Sequence, residues 1–169
     1  MGNEQRRLVF ELFAQGQHHE LSTPLLDWSR SPQVALFFAF EELDSRIDDE
    51  GCRVVYALNR TIIERRAPPT SVIKENGIMF FESMGHRNPR LIGQSGLFTF
   101  SPSHLSIEKW VIDNYINKPD LPILLRFMIR NKARKECLAD LDLMNIHSRN
   151  LFPDLIGVGR AANYILERY

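Results

Sequence analysis

Leu8, Val9, Leu12 and Phe13 recur at helical spacing and predict an amphipathic helix over residues 4–15. The polar run Gln15-Gly16-Gln17-His18-His19-Glu20 reads as the loop after it. Leu21 to Trp28 reads as irregular or briefly extended, because Pro24 supplies no backbone donor. The next boundary is sharper. Ser31 stands at an N-cap position with Pro32 at the first helical position, where a missing N–H costs nothing. From Gln33 to about Leu43 the chain is apolar nearly all round, through Val34, Leu36, Phe37, Phe38 and Phe40. That pattern predicts a helix in the middle of a core.

Past the acidic turn Asp48-Asp49-Glu50-Gly51, residues 53–58 predict a strand, and Asn59 caps a short helix over 61–66 that stops before Pro68-Pro69. Residues 78–81 and 97–100 read as extended, with one helical turn between Asn88-Pro89 and Ser95-Gly96. Ile107, Trp110, Val111 and Tyr115 predict a helix over 106–116, and residues 123–129 predict a strong strand. Asn131 is placed as the cap of a helix to about Met144, and Pro153-Asp154 opens a last helix towards Tyr169. The expected fold is α+β: a small mixed or antiparallel sheet packed with several helices, as one domain over residues 1–169. No GxGxxG or GxxxxGK[ST] follows a strand, which disfavours Rossmann and P-loop nucleotide sites.

Composition narrows the function classes. With 21 Lys+Arg against 21 Asp+Glu, the chain lacks the basic excess that bulk nucleic-acid binding needs. The longest apolar run has seven residues, Val34 to Phe40, too short to span a bilayer, so no membrane is expected. Cys52 and Cys137 are far apart and form no disulfide framework or metal knuckle. No basic-then-apolar leader opens the chain, and a cytoplasmic setting is the expectation. The neutral total hides asymmetry: residues 41–50 carry six acids, and residues 126–135 carry five bases (Arg126, Arg130, Lys132, Arg134, Lys135) without an acid. The basic segment is either a solvated face or a patch for phosphate or RNA.

Two constellations hold the candidate chemistry. Gln17, His18, His19, Thr23, Asp27, Ser29, Arg30 and Ser31 form the densest polar group. A hydrolytic triad can be spelled from these residues, but there is no G-x-S-x-G elbow, and zinc would lack third and fourth ligands. In the structural reading Asp27 and Ser29 cap the Ser31-Pro32 helix start and Trp28 is core. In the functional reading, the segment ends at a helix N-terminus that favours phosphate or carboxylate. The second constellation is Arg90 to Gly96. Arg90 and Gln94, four apart, share one side of a helical turn, and Gly93 and Gly96 permit close approach. Arg90 could grip an anion and Gln94 read an amide or hydroxyl. Alternatively, Arg90 pairs with an acid and the turn links two core elements. His147 precedes a helix start, and His86 and His104 read as loop histidines.

The stretch Gln17-His18-His19-Glu20-Leu21-Ser22-Thr23-Pro24-Leu25-Leu26-Asp27-Trp28-Ser29-Arg30-Ser31-Pro32 and on to Ala39 resembles the signature of the FRG domain family. Asn88 to Phe98 is similar to that family's N-x-R-x-x-x-Q-x-G-x-F, and Leu151-Phe152-Pro153-Asp154-Leu155 with Gly157 to its closing L-F-P-D-L-x-G. Glu20 and Ser22 stand where the family has Gly and Pro, and its Phe/Tyr-Arg-Gly element has no counterpart before Gln17. A more distant similarity is to the ADP-ribosyltransferase fold. It would set Ser31-Pro32 and Arg90-x-x-x-Gln94-x-Gly96 against segments that hold NAD, with Gly96 in place of the catalytic Glu. Such chemistry would need another acid, Asp27 or Glu82.

The resemblance implies a toxin or phage-defence effector that binds a nucleotide or NAD-like ligand. His18, His19, Asp27 and Gln94 would be its catalytic residues, and Gln17, Thr23, Ser29, Ser31 and Arg90 its ligand-binding ones. Arg90 and the helix start near Ser31 would hold phosphate, a histidine or Gln94 would orient ribose or base, and Asp27 would set a histidine tautomer. The alternative is a non-catalytic protein-interaction module in which the same motif is a structural signature.

Overall fold

The computed structural model of the chain describes residues 3–19, 21–43, 47–66, 77–83, 89–101, 105–115, 117, 121–153, 159 and 162. Short strands alternate irregularly with helices, a mixed α+β arrangement as the pattern predicts. The chain forms two compact units. One comprises Met1–Trp28, Tyr56–Met84 and Leu97–Leu125; the other comprises Ser29–Val55, Gly85–Gly96 and Arg126–Tyr169.

The first unit opens with α1 (Asn3–His18). This helix overruns the expected loop: it continues through Gly16 and takes Gln17 and His18 into its last turn. At that end Gly16 lies under Leu21. Its carbonyl accepts from His19 N (2.9 Å) and Leu21 N (3.0 Å), and a Cβ there would sit 2.7 Å from Leu21 Cδ2. The chain then runs into β1 (Leu25–Ser29), which joins a sheet of order β1-β4-β3 with β4 (Gly96–Phe100) and β3 (Met79–Phe81). β3 and β4 are antiparallel, with Phe80 opposite Thr99 and Phe81 opposite Phe98. Phe10 of α1 packs its ring against Phe81 and Phe100, at 5.5 and 5.1 Å between centroids. Thr99 is buried, and its hydroxyl accepts the Trp28 indole N–H at 2.9 Å, so neither polar group is left unsatisfied.

A second cluster in this unit joins Ile63 of α3 (Arg60–Arg66) to Ile78, Trp110 of α5 (Ile107–Tyr115) and Ile123. Asn59 caps α3 as its position predicts, its Oδ1 accepting from Ile62 N at 3.1 Å.

The second unit is built on α2 (Pro32–Glu41) against α6 (Arg134–Leu143). Val34, Phe37 and Phe40 meet Leu138 and Leu141, with Leu151 of α7 (Ser148–Leu151) and Phe152 completing the core. α2 is one-sided rather than surrounded: Phe38 is 41% exposed and Gln33 is exposed. At the far end of α2, buried Arg134 donates to the carbonyls of Phe40 (2.8 Å) and Glu41 (2.9 Å). A cation thus answers the negative end of the helix and two of its unpaired carbonyls. α6 itself ends in a Schellman turn: Asn145 takes φ 61°, its N–H reaches Asp142 O, and Ile146 N reaches Leu141 O at 2.8 Å.

Asn131 is not the helix cap that its position suggested. It begins a 3-10 turn (Asn131–Ala133), and its side chain donates to the carbonyls of Ile47 and Asp48 and accepts from Arg53 Nε. A two-stranded sheet pairs β2 (Cys52–Leu58) with β5 (Leu124–Arg130). Within the second unit, Asn131 N bonds Gly51 O at 2.8 Å and sets that end's register. α4 (Pro89–Gly93) is the predicted single turn; Asn88, His86, His104 and the last helix's start at Asp154 lie outside the described residues.

Candidate functional site

The sequence-selected residues fall into two groups, one in each unit. In the first unit, the last turn of α1 and the start of β1 bring Gln17, Thr23 and Asp27 together. Thr23 Oγ1 accepts from Leu25 N (3.3 Å) and donates to Gln17 Oε1 (2.5 Å). Gln17 Nε2 in turn donates to Asp27 Oδ2 at 2.6 Å. Asp27 therefore holds Gln17 and does not cap the following helix, as the sequence had suggested. Gln17 and Thr23 are half-buried, and Asp27 and His19 are exposed. His18 ends α1, and its side chain is outside the described set. Chemically this chain offers an exposed carboxylate, fixed in orientation by an amide and a hydroxyl. Glu82, the other candidate acid, is engaged by Arg60, which also binds Glu64 at 2.8 Å and lies over the Phe80 ring.

The second unit collects Ser29, Ser31, Arg90 and Gln94, and each is engaged within the protein. Ser29 Oγ donates to Gln94 O (2.7 Å) and accepts from Ser31 N (3.0 Å). Ser31 Oγ caps Val34 N at 3.3 Å. Since Pro32 has no N–H, three of the first four donor positions of α2, from Ser31 to Val34, are already taken or absent. That leaves little of the helix end for an external phosphate.

Gln94 Nε2 donates to Leu151 O at 3.0 Å, and the Arg90 guanidinium stacks 4.5 Å over the Phe152 ring. Gly93 lies so close to α7 that a Cβ would sit 2.7 Å from Asn150 O. Glycine is required here for approach, since its side-chain space is filled by backbone. The Arg90–Gly96 segment thus seats on Leu151-Phe152, and β1's last residue is latched to the Gln94 carbonyl. The sequence placed these segments as separate motifs; their mutual docking was invisible there, because the partners lie 57 or more positions apart.

Of the five bases in residues 126–135, Arg134 is buried under α2, while Arg126, Lys132 and Lys135 are exposed and Arg130 pairs with Glu50 at 3.1 Å. Among the described residues there is no group of three His, Cys, Asp or Glu able to hold a metal ion. No described helix is long and apolar enough to cross a membrane.

Comparison with known proteins gives one match. No curated protein and no solved structure matches the chain, so the ADP-ribosyltransferase likeness gains no support from a relative. A family model, that of the FRG domain, matches residues 2–47. That stretch contains α1, β1, α2 and the whole Gln17–Ala39 signature, so over those residues the chain is similar to the FRG domain.

Proposed function

We propose that this chain acts as a non-catalytic interaction module, and that its signature residues serve chiefly to hold the fold. One observation carries the reading: in the second unit, Ser29, Ser31, Arg90 and Gln94 spend their polar groups on one another, on α2 and on Leu151-Phe152. A residue that must read a ligand needs donors left over for it, whereas the Ser29 hydroxyl, the Ser31 hydroxyl and a Gln94 N–H are committed inside the protein and the Arg90 guanidinium face is stacked on a ring. The resemblance to toxin and phage-defence effectors suggests a setting in which such a module recruits a protein target.

A second reading has its own support. The exposed Asp27, oriented through Gln17 and Thr23, could accept hydrogen bonds from ribose hydroxyls of a nucleotide or NAD-like ligand, with His19 nearby in sequence. Isothermal calorimetry with millimolar NAD, ADP-ribose and common nucleotides decides between them. The module reading expects no heat. Heat that Asp27→Asn or His19→Ala abolishes, in a variant with unchanged circular dichroism, overturns it.

A further inference from the structure

We infer that the outer edge of β5 in the second unit is a strand-addition site for an extended acidic peptide with an apolar centre. The inference deepens the interaction-module reading and rests on it. Asn131 N bonds Gly51 O, so odd-numbered residues at this end of β5 turn their backbone groups towards β2. The backbone groups of Arg126, Met128 and Arg130 therefore point the other way, to an edge that no third described strand covers. The same register sets Val54 opposite Met128, with the Arg126, Met128 and Arg130 side chains on one face.

That face is open to solvent. Met128 is 59% exposed, Val54 39%, and the Arg130 side chain 61%. Arg126 is exposed as well, its Nη2 lying 3.7 Å from Met128 Sδ. An apolar pair framed by Arg126 and by Arg130, the latter shared with Glu50 at 3.1 Å, is thus presented beside a row of outward-facing strand donors and acceptors. Lys132 and Lys135 extend the positive charge beyond the strand.

Charge decides the occupant. A second copy paired about a two-fold axis at Met128 would set Arg126 of one chain directly opposite Arg130 of the other, an unfavourable like-charge juxtaposition. A peptide with acids two residues either side of an apolar residue instead meets both arginines and Met128 at once. Main-chain bonds would supply the common affinity and these three contacts the selectivity.

The probe is the labelled heptapeptide Thr-Glu-Val-Leu-Val-Glu-Thr, titrated by fluorescence anisotropy into the full chain. The expected result is saturable binding, weakened at least tenfold by Arg126→Glu and by N-methylation of the peptide's central Leu. Met128→Pro should act likewise, since Pro at an outward-facing position spares the β2 ladder. The methylated peptide is tested on the unaltered protein, so that arm reads out even if the Pro variant fails to fold. Lys109→Glu, on α5, should leave binding unchanged.

Binding that survives methylation, or that falls equally with Lys109→Glu, overturns strand addition. So does a uridine decamer that binds this edge more tightly with steep salt dependence, or a concentration-dependent dimer lost with Met128→Pro. Absence of peptide binding overturns the edge site alone; the interaction-module reading falls only on the nucleotide titration.

Discussion

Gln94→Ala removes the donor that meets the Leu151 carbonyl at 3.0 Å, on a residue only 2% exposed. Water cannot easily replace that donor, so the variant should lose about 1–3 kcal/mol, the cost of leaving a buried acceptor unpaired. For a chain of this length, 2 kcal/mol lowers Tm by about 4–8 °C. Gln94→Glu keeps the size but turns a carboxylate oxygen against the carbonyl, and should fall further. Gln17→Ala is the internal comparison: its acceptor, Asp27, is exposed, and the loss should stay below about 1 kcal/mol. Thermal unfolding followed by circular dichroism, with urea titration for ΔG, separates the three. If Gln94→Ala and Gln94→Glu both melt within about 1 °C of the parent chain, the amide is not structural and belongs again among the ligand-reading candidates.

Gly93→Ala should destabilise the second unit by about 1–3 kcal/mol, because its Cβ meets the Asn150 carbonyl at 2.7 Å and α4 must lift from α7; urea unfolding reads the loss. Arg134→Met keeps the aliphatic stem but strands the Phe40 and Glu41 carbonyls at the end of α2, lowering stability by about 2–4 kcal/mol. Arg134→Lys should recover part of this in the same titration. Burial, with the Asp140 carboxylate adding to it, raises the Cys137 thiol above its usual value. The folded state therefore holds that proton longer than the unfolded chain. Its contribution is full below about pH 8.5 and is lost as pH rises towards the folded value. Stability measured from pH 7 to 10 should fall less in Cys137→Ala than in the parent chain.

Local features were readable because their partners lie within a few residues. Ser31-Pro32 starts α2 and Asn59 starts α3, since a cap closes on an N–H only three positions ahead. The strands around residues 53–58, 79–81, 97–100 and 124–130 follow from apolar runs bounded by turn residues. Where the reading went astray, a partner beyond the next helical turn had intervened. α1 runs on to His18 while Gln17 is tied to Thr23 and Asp27 and Leu21 packs on Gly16. Asn131, a good cap by position, is drawn instead to Ile47, Asp48 and Arg53.

The same division holds for the candidate site. The signature that matches the FRG domain is a string of residue types, and the chain order alone carries it. What those residues touch is another matter. Arg90 and Gln94 look like ligand groups in one dimension because both carry unsatisfied donors there. Only docking on Leu151 and Phe152 shows that the Gln94 amide meets a carbonyl and the Arg90 guanidinium face a ring. Arg134, one base among five in the sequence, becomes the cap of α2 for the same reason. Propensity and capping act over one helical turn and are written locally, whereas the fate of a long polar side chain depends on which carbonyl or ring the packed core brings to it.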